Sequence, residues 1–385
     1  MRTVGVVTVA RSDFGHYLPV LRALRGRDDT QPLLFVSGSH LEEVFGETAS
    51  EIEDHGFSPT ATIPMELVAD DPVSIGRSLG LGVSGFSAAF GDIHPDIMLV
   101  LGDRTEMLTA VMAALVHTIP VAHVHGGELS EGAIDDAVRH AITKMSHLHF
   151  AATDIYARRI IQMGEEPWRV AVSGAPGLDN LRTEEPLGRE EIRERFSLDL
   201  PEQFLLVTYH PVTLEPGGER ERFGAVLEAL DRAHVPVVFT YPNADRGGRI
   251  LIEMISDFVA TSPTAQAVES LGSCGYWSVM RLAAAMVGNS SSGIVEAPSL
   301  GLPVVNVGSR QRGRIRANNI IDCNEASDDV VNAITRALSE EFSLLASTTL
   351  NPFGDGHAAE RIADTLATVD LNRLLDKRFQ DMECR

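Results

Sequence analysis

Short runs rich in Val, Ile and Leu recur along the chain, each followed by a small-residue loop and then an amphipathic stretch. Continuous apolar runs of this length suit strands buried on both faces of a parallel sheet, and the amphipathic stretches suit the helices that link them. The pattern predicts strands over 3–10, 32–37, 96–101, 121–125, 149–152 and 170–172, with helices over 16–25, 106–117 and 134–144. It pauses at 174–186, where Pro176, Gly177 and Pro186 make the best candidate for a hinge. A second set follows, with strands over 204–209, 235–240, 285–288 and 303–307 and helices over 220–233 and 293–300. From about 358 the chain reads as helical and ends in a polar tail. The expected fold is α/β, with two Rossmann-like, doubly wound domains over 1–178 and 187–357. Two such sheets facing each other would place a ligand at the carboxyl ends of their strands, in an interdomain cleft.

A length of 385 residues and 44% hydrophobic content agree with two globular domains. No apolar stretch reaches the ~18–20 residues a membrane helix needs. The opening MRTVGVVTVA, soon followed by Arg11 and Asp13, does not resemble a signal peptide, so a cytoplasmic location is expected. Cys274, Cys323 and Cys384 are far apart and form no C-x-x-C pair, which disfavours a disulfide framework or a zinc site. The net charge of −22 disfavours nucleic acid and anionic membrane as partners. Lysine occurs only at Lys144 and Lys377; the other basic residues are arginines.

Four strand-to-loop junctions are unusually polar. The first runs from Ala10 through Arg11, Ser12 and Asp13, where Arg11 can meet a phosphate or order a carboxylate. The second is Gly102-Asp103-Arg104, with a carboxylate at the mouth of the sheet where general acid–base work is usually done. A helix cap by Asp103 is the plain structural alternative. The third is His123-Val124-His125-Gly126-Gly127-Glu128, followed by a helix that opens with Asp135, Asp136, Arg139 and His140. No metal-ligand spacing of the H-E-x-x-H kind appears there. The fourth is Gly288-Asn289-Ser290-Ser291-Ser292-Gly293, a hydroxyl-rich turn before a helix and a natural anion site, with Glu296 expected on the first helical turn. Arg310, Arg312, Arg314 and Arg316 then cluster on an otherwise acidic chain, which favours a bound polyanion. Gly80, Gly82 and Gly85 spell G-x-G-x-x-G, but no predicted strand leads into them, so the match is read as chance.

Taken together, these segments resemble the hydrolysing UDP-N-acetylglucosamine 2-epimerases of sialic-acid and related biosynthesis. The likeness covers nearly the whole chain and is strongest over 101–107, 123–150, 209–211, 241–245 and 288–314. It implies a fold of the glycosyltransferase-B type, with 358–385 packing back on the first domain. By position it makes Arg11, Arg104, His210, Asn243, Ser290, Ser291, Glu296 and Arg310 the residues that meet UDP, and Asp103 and Asp135 catalytic carboxylates. Where some members carry glutamate this chain has His125, so His125 or Glu128 takes that acid–base part.

The implied reaction eliminates UDP to a 2-acetamidoglycal and hydrates it to free N-acetylmannosamine, without cofactor or metal. A homodimer or homotetramer is also implied. The first alternative is the same chemistry on a UDP-2,4-diacetamido-2,4,6-trideoxyhexose, the legionaminic-acid precursor. A UDP-sugar-dependent glycosyltransferase is the alternative of another class.

Overall fold

The computed structural model describes residues 1–42, 49–67, 71–130, 134–211, 218–242 and 247–381. Asn243 and Cys384 lie outside the described residues. The chain divides into two compact units, one formed by 1–180 with 353–385 and the other by 181–352. The division falls inside a short helix, Gly177–Thr183, within the stretch marked by Pro176 and Pro186.

The first unit is built on seven parallel strands: β1 (Arg2–Thr8), β2 (Thr30–Ser37), β3 (Ala61–Ile63), β4 (Ile97–Leu101), β5 (Val121–Val124), β6 (Leu148–Ala151) and β7 (Val170–Val172). Their order is β3-β2-β1-β4-β5-β6-β7, so the winding reverses between β1 and β4. Alternate residues feed two cores, as the two-residue period of a strand requires. Val4, Val6, Leu34, Val36 and Leu99 pack with Phe14, Tyr17 and Leu21, and with Ile362 and Leu366 of the helix Ala358–Thr368. Val7, Val9, Phe35, Met98 and Val100 face the other way, against Phe86, Phe90 and Ala110.

The second unit has six parallel strands: β8 (Leu205–Thr208), β9 (Val237–Thr240), β10 (Ala265–Val268), β11 (Ala285–Gly288), β12 (Val304–Val307) and β13 (Ile320–Cys323). The order β10-β9-β8-β11-β12-β13 reverses between β8 and β11. Doubly wound sheets present ligand sites at such reversal points, beyond the carboxyl ends of the strands. Of the four polar junctions, those after β1, β4 and β11 fall at these reversals, and the one after β5 lies one strand further along its sheet.

Three strands escape the sequence pattern: β3, β10 and β13. Each has only three or four residues, and each lies at the edge of its sheet. Edge strands are half-covered and need no long apolar run. The glycines of the G-x-G-x-x-G stretch sit inside the helix Pro72–Asp92. A Cβ on Gly82 would come within 2.7 Å of Met65 and Thr109, and one on Gly85 within 2.6 Å of Ile63. Gly82 and Gly85 thus serve close packing, while Gly80 faces open space.

Candidate active site

At the carboxyl end of the first sheet, Gly102 takes φ +75° and turns the chain sharply after β4. Arg104 is the N-cap of the helix Thr105–Val116 and makes no side-chain cap. The Asp103 carboxylate is therefore not a cap. It pairs instead with Arg139 Nη2, on the helix Ile134–Met145. Arg139 Nη2 also donates to Ser130 Oγ at 2.9 Å, and Ser130 N donates to Asp136 Oδ1 at 2.8 Å. Arg139 is buried, yet its Nε and Nη1 find no hydrogen-bond partner among the described residues. Asp135 opens the same helix, and its carboxyl is pushed up by burial and then by the negative charge of Asp103. Repulsion between neighbouring carboxylates is the usual way a site holds a proton on one of them.

A second group surrounds His125, which takes φ +62°, a conformation that costs a side-chain-bearing residue about 1–3 kcal/mol. Its Nδ1 lies 2.7 Å from Glu128 Oε1, and its Nε2 has no partner among the described residues. The His16 ring meets the His125 ring edge-on at 5.8 Å. Burial, followed by the charge of His125, lowers the His16 pKa to about 4, so this imidazole is neutral at pH 7. Below them His123 is fully buried; its Nε2 donates to Gly102 O at 2.8 Å, and its Nδ1 lies 3.2 Å from Thr143 Oγ1. That bond ties β5 to the turn that carries Asp103.

The first turn of the helix Arg11–Arg25, just after β1, brings in a group to which the sequence pattern gives no role. Asp13 is buried, and burial raises its pKa to about 6 despite the opposing charge of Arg104. Arg104 Nε stands 3.5 Å from Asp13 Oδ1, and its Nη2 is 3.4 Å from Ser12 Oγ. Arg11 is half-exposed at the start of the helix Arg11–Arg25, and its described ion pair is with Glu51 at 3.0 Å. The structure thus gathers Asp103, Asp135, Arg139, Arg104 and Asp13, and separately His125, Glu128 and His16.

The second unit offers a different surface at the carboxyl ends of β8 and β11. His210 N donates to Asn289 Oδ1 at 2.7 Å, and Asn289 Nδ2 donates back to His210 O at 2.9 Å. The two loops are clasped by one buried amide. The Asn289 carbonyl in turn accepts from Arg310 Nη1 at 3.1 Å and Gln311 Nε2 at 2.8 Å. Gly288 allows this closeness: at φ +140°, a Cβ there would sit 2.0 Å from Thr208 O. Behind the clasp, Thr208 Oγ1 meets Thr240 Oγ1 at 2.7 Å and Tyr276 Oη at 3.0 Å. Burial, then Arg310, lowers the His210 pKa to about 3. His210 is therefore neutral at pH 7 and can offer a ring N–H but no charge.

Ser290 is buried and Ser291 half-buried in the turn after β11. Glu296 is not on the first turn of a helix. It lies at the junction of the short helices Ser292–Val295 and Ala297–Leu300. Pro298 lacks the N–H that would continue the first helix through this point.

Doubly wound sheets with polar groups gathered at both winding reversals define a nucleotide- or sugar-handling α/β protein. The profile of the UDP-N-acetylglucosamine 2-epimerase family matches residues 22–367. The chain belongs to that family. It is 36% identical over 384 residues to the GDP/UDP-N,N'-diacetylbacillosamine 2-epimerase (hydrolyzing) of Campylobacter jejuni, covering 99% of both chains. It is also 36% identical over 378 residues to the UDP-N,N'-diacetylbacillosamine 2-epimerase (hydrolyzing) of Legionella pneumophila, covering 98% of this chain and 99% of that one. Among solved structures, the S. aureus MnaA–UDP co-structure superposes with a TM-score of 0.79 at 18% identity, over 99% of this chain and all of that one. The fold is the two-domain glycosyltransferase-B type. No described helix is long and apolar enough to cross a membrane.

Proposed function

We propose that this protein is a hydrolysing 2-epimerase that acts on a UDP-2,4-diacetamido-2,4,6-trideoxyhexose, releasing UDP and the free sugar inverted at C2. The reaction class rests on one observation: Asp103, itself paired with Arg139, lies close enough to Asp135 for its charge to raise that carboxyl. The choice of sugar rests on the two relatives at 36% identity, both named for the diacetamido substrate. UDP-N-acetylglucosamine, the sugar in the family's own description, is the second reading.

In the proposed mechanism a carboxylate takes the C2 proton while the C1–O bond breaks and its electron pair leaves with UDP. The product of that step is the 2-acetamidoglycal. Water then adds at C1, and a proton is delivered to the opposite face of C2. Asp103 is assigned as the base. Asp135 is assigned as the proton donor, because burial and the charge beside it favour its protonated form. His125 activates the water, with Glu128 holding its Nδ1 side. For the nucleotide the assignment is Arg11, Arg104, His210, Asn243, Ser290, Ser291, Glu296 and Arg310. Arg310 supplies charge, and His210 and the Ser290 turn supply donors to the departing pyrophosphate. The partner is thus a small UDP-sugar, and a homodimer or homotetramer in a cytoplasmic location is the expected setting.

The test is proton NMR in deuterated water with each UDP-sugar supplied separately and no acceptor present. Free manno-configured 2,4-diacetamido sugar, deuterated at C2 and formed with one equivalent of UDP, supports the proposal. Turnover of UDP-N-acetylglucosamine alone transfers it to the second reading. Release of UDP only when an acceptor sugar is added would identify a transferase.

A further inference from the structure

The only two lysines of the chain converge on one buried carboxylate. Glu165, in the loop after the helix Asp154–Gln162, has no exposed side-chain surface. Lys144 Nζ lies 2.6 Å from its Oε1, while Lys377 Nζ at 2.8 Å and His149 Nε2 at 3.0 Å meet its Oε2. Lys377 also donates to Lys144 O at 2.7 Å and to Ser146 O at 2.6 Å. An ammonium has three N–H groups, and all three are placed. One falls on the Lys144 carbonyl in the last turn of the helix Ile134–Met145 and another on Ser146 just past its end, where a helix leaves its C=O groups unpaired and its dipole is negative.

The segment that carries Lys377 is itself held down. Arg169, fully buried, donates to His147 O at 3.1 Å and to Leu374 O and Asp376 O at 2.8 Å. The guanidinium groups of Arg169 and Arg373 both lie against the Trp168 ring, 4.3 and 3.9 Å from its centre. Gln380 N donates to Gly164 O at 2.9 Å, and the Phe379 ring covers Gly164 and Lys144. This is far more anchoring than a polar tail requires.

We infer that residues 374–380 are a strap that positions the helix Ile134–Met145, with Lys377 as its positioning residue. The inference rests on the proposed assignment of Asp135 to the chemistry. That residue and Arg139 stand on the same rigid helix whose far end Lys377 caps. Nine residues at ~1.5 Å each separate Asp135 from Lys144, so a tilt at the capped end displaces the carboxylate at the other. A misplacement of about 1 Å at a reacting group is enough to cost up to about a hundredfold in rate.

The full-length Lys377→Met and Lys377→Arg variants test this. Lys377→Met is expected to lose about tenfold in kcat with KM within about twofold. Lys377→Arg, which keeps charge and donors, is expected to recover most of the loss. Amide hydrogen exchange across 139–146 should quicken in Lys377→Met, and Trp168 fluorescence should change as Arg373 is released. If Lys377→Met does not fold, Phe379→Ala loosens the same strap from its exposed side and should lower kcat about threefold. An unchanged kcat in a folded variant overturns the inference, as does a loss that appears only in KM. If the wild-type protein turns over neither UDP-sugar, the proposed function fails, and exchange over 139–146 decides the strap on its own. Unaltered exchange there in Lys377→Met rules the strap out.

Discussion

The carboxyl end of the seven-stranded sheet crowds acidic and basic side chains together, whereas that of the six-stranded sheet sets amides and hydroxyls around Arg310. In the first, Asp13, Asp103 and Asp135 stand with Arg104 and Arg139, and several nitrogens lack a hydrogen-bond partner among the described residues. In the second, Asn289 engages the His210 backbone in both directions while its own carbonyl accepts from two side chains. Polar groups that satisfy one another fix a shape, because each would cost free energy if left alone in a buried setting. Charged groups that crowd one another shift pKa values, which is what proton transfer needs. On the proposed function, the first unit carries the proton chemistry, and most of the residues assigned to the nucleotide belong to the second.

The largest effect should come from the charged group. Asp103→Asn keeps the shape of the side chain and removes its basicity, so turnover should fall by roughly 10²–10⁴. UDP affinity, measured by calorimetry, should stay within about threefold, since the residue acts on the sugar. A loss of UDP binding equal to the loss of rate would dissolve the division of labour between the units. The mirror experiment is Asn289→Ala. It strips the clasp and leaves His210 N and O buried without their partner, at a cost of about 2–4 kcal/mol. Urea denaturation should show that loss, and UDP affinity should fall together with it. Turnover at saturating substrate should change far less than in Asp103→Asn.

Asp13→Asn offers a gentler contrast. Burial raises the Asp13 pKa from its ordinary 3.8 to about 6. Between those values the folded protein holds a proton that the unfolded chain has released. Stability contributed by this group is therefore present below about pH 4, falls as pH rises towards 6, and stays lost above it. The asparagine variant removes the ionisation and should be more stable at pH 7 by about 2 kcal/mol, with a flatter pH profile between 4 and 6. Denaturant melts at pH 4, 5, 6 and 7 check it. A parallel profile for variant and wild type would show that Asp13 is comfortable in its charged form.

The two regions also differ in how much of them could be read from residues alone. Strands such as β1, β4, β8 and β11 announce themselves by continuous apolar runs, and the polar junctions behind them mark both sheet mouths. Asp103 stands out because a carboxylate directly after a buried strand is conspicuous, whereas Asp135, on a helix opening, is singled out only by the family resemblance. Arg139 is visible only as part of a helix opening. Its spacing of four from Asp135 signals a shared face, but nothing in the sequence says that Asp103 arrives from another strand. Asp13 and His16 are hidden for the same reason: their roles depend on burial, which is a property of the packed chain. In the second unit the hydroxyls of 290–292 draw attention, while the residue that organises the turn is Asn289 just before them. A two-way clasp between loops 79 residues apart has no local signature. Glu296 shows the opposite failure, where a helix extrapolated through Pro298 gives way to two short turns.

The smallest expected effect probes how stiff the second unit's framework is. Tyr276 Oη lies 3.0 Å from Thr208 Oγ1, which also meets Thr240 Oγ1 at 2.7 Å. In Tyr276→Phe, Thr208 keeps one partner, so the cost should stay near about 1 kcal/mol. The hydroxyl of Tyr276 also interacts with Ser290 and Ser292. If the framework merely holds its shape, UDP affinity should follow the small change in stability and shift by less than about threefold. A drop of tenfold or more with the same modest destabilisation would mean that Tyr276 orients the Ser290 turn for the ligand. The second unit would then resemble the first in having a tuned group, buried one layer behind its donors.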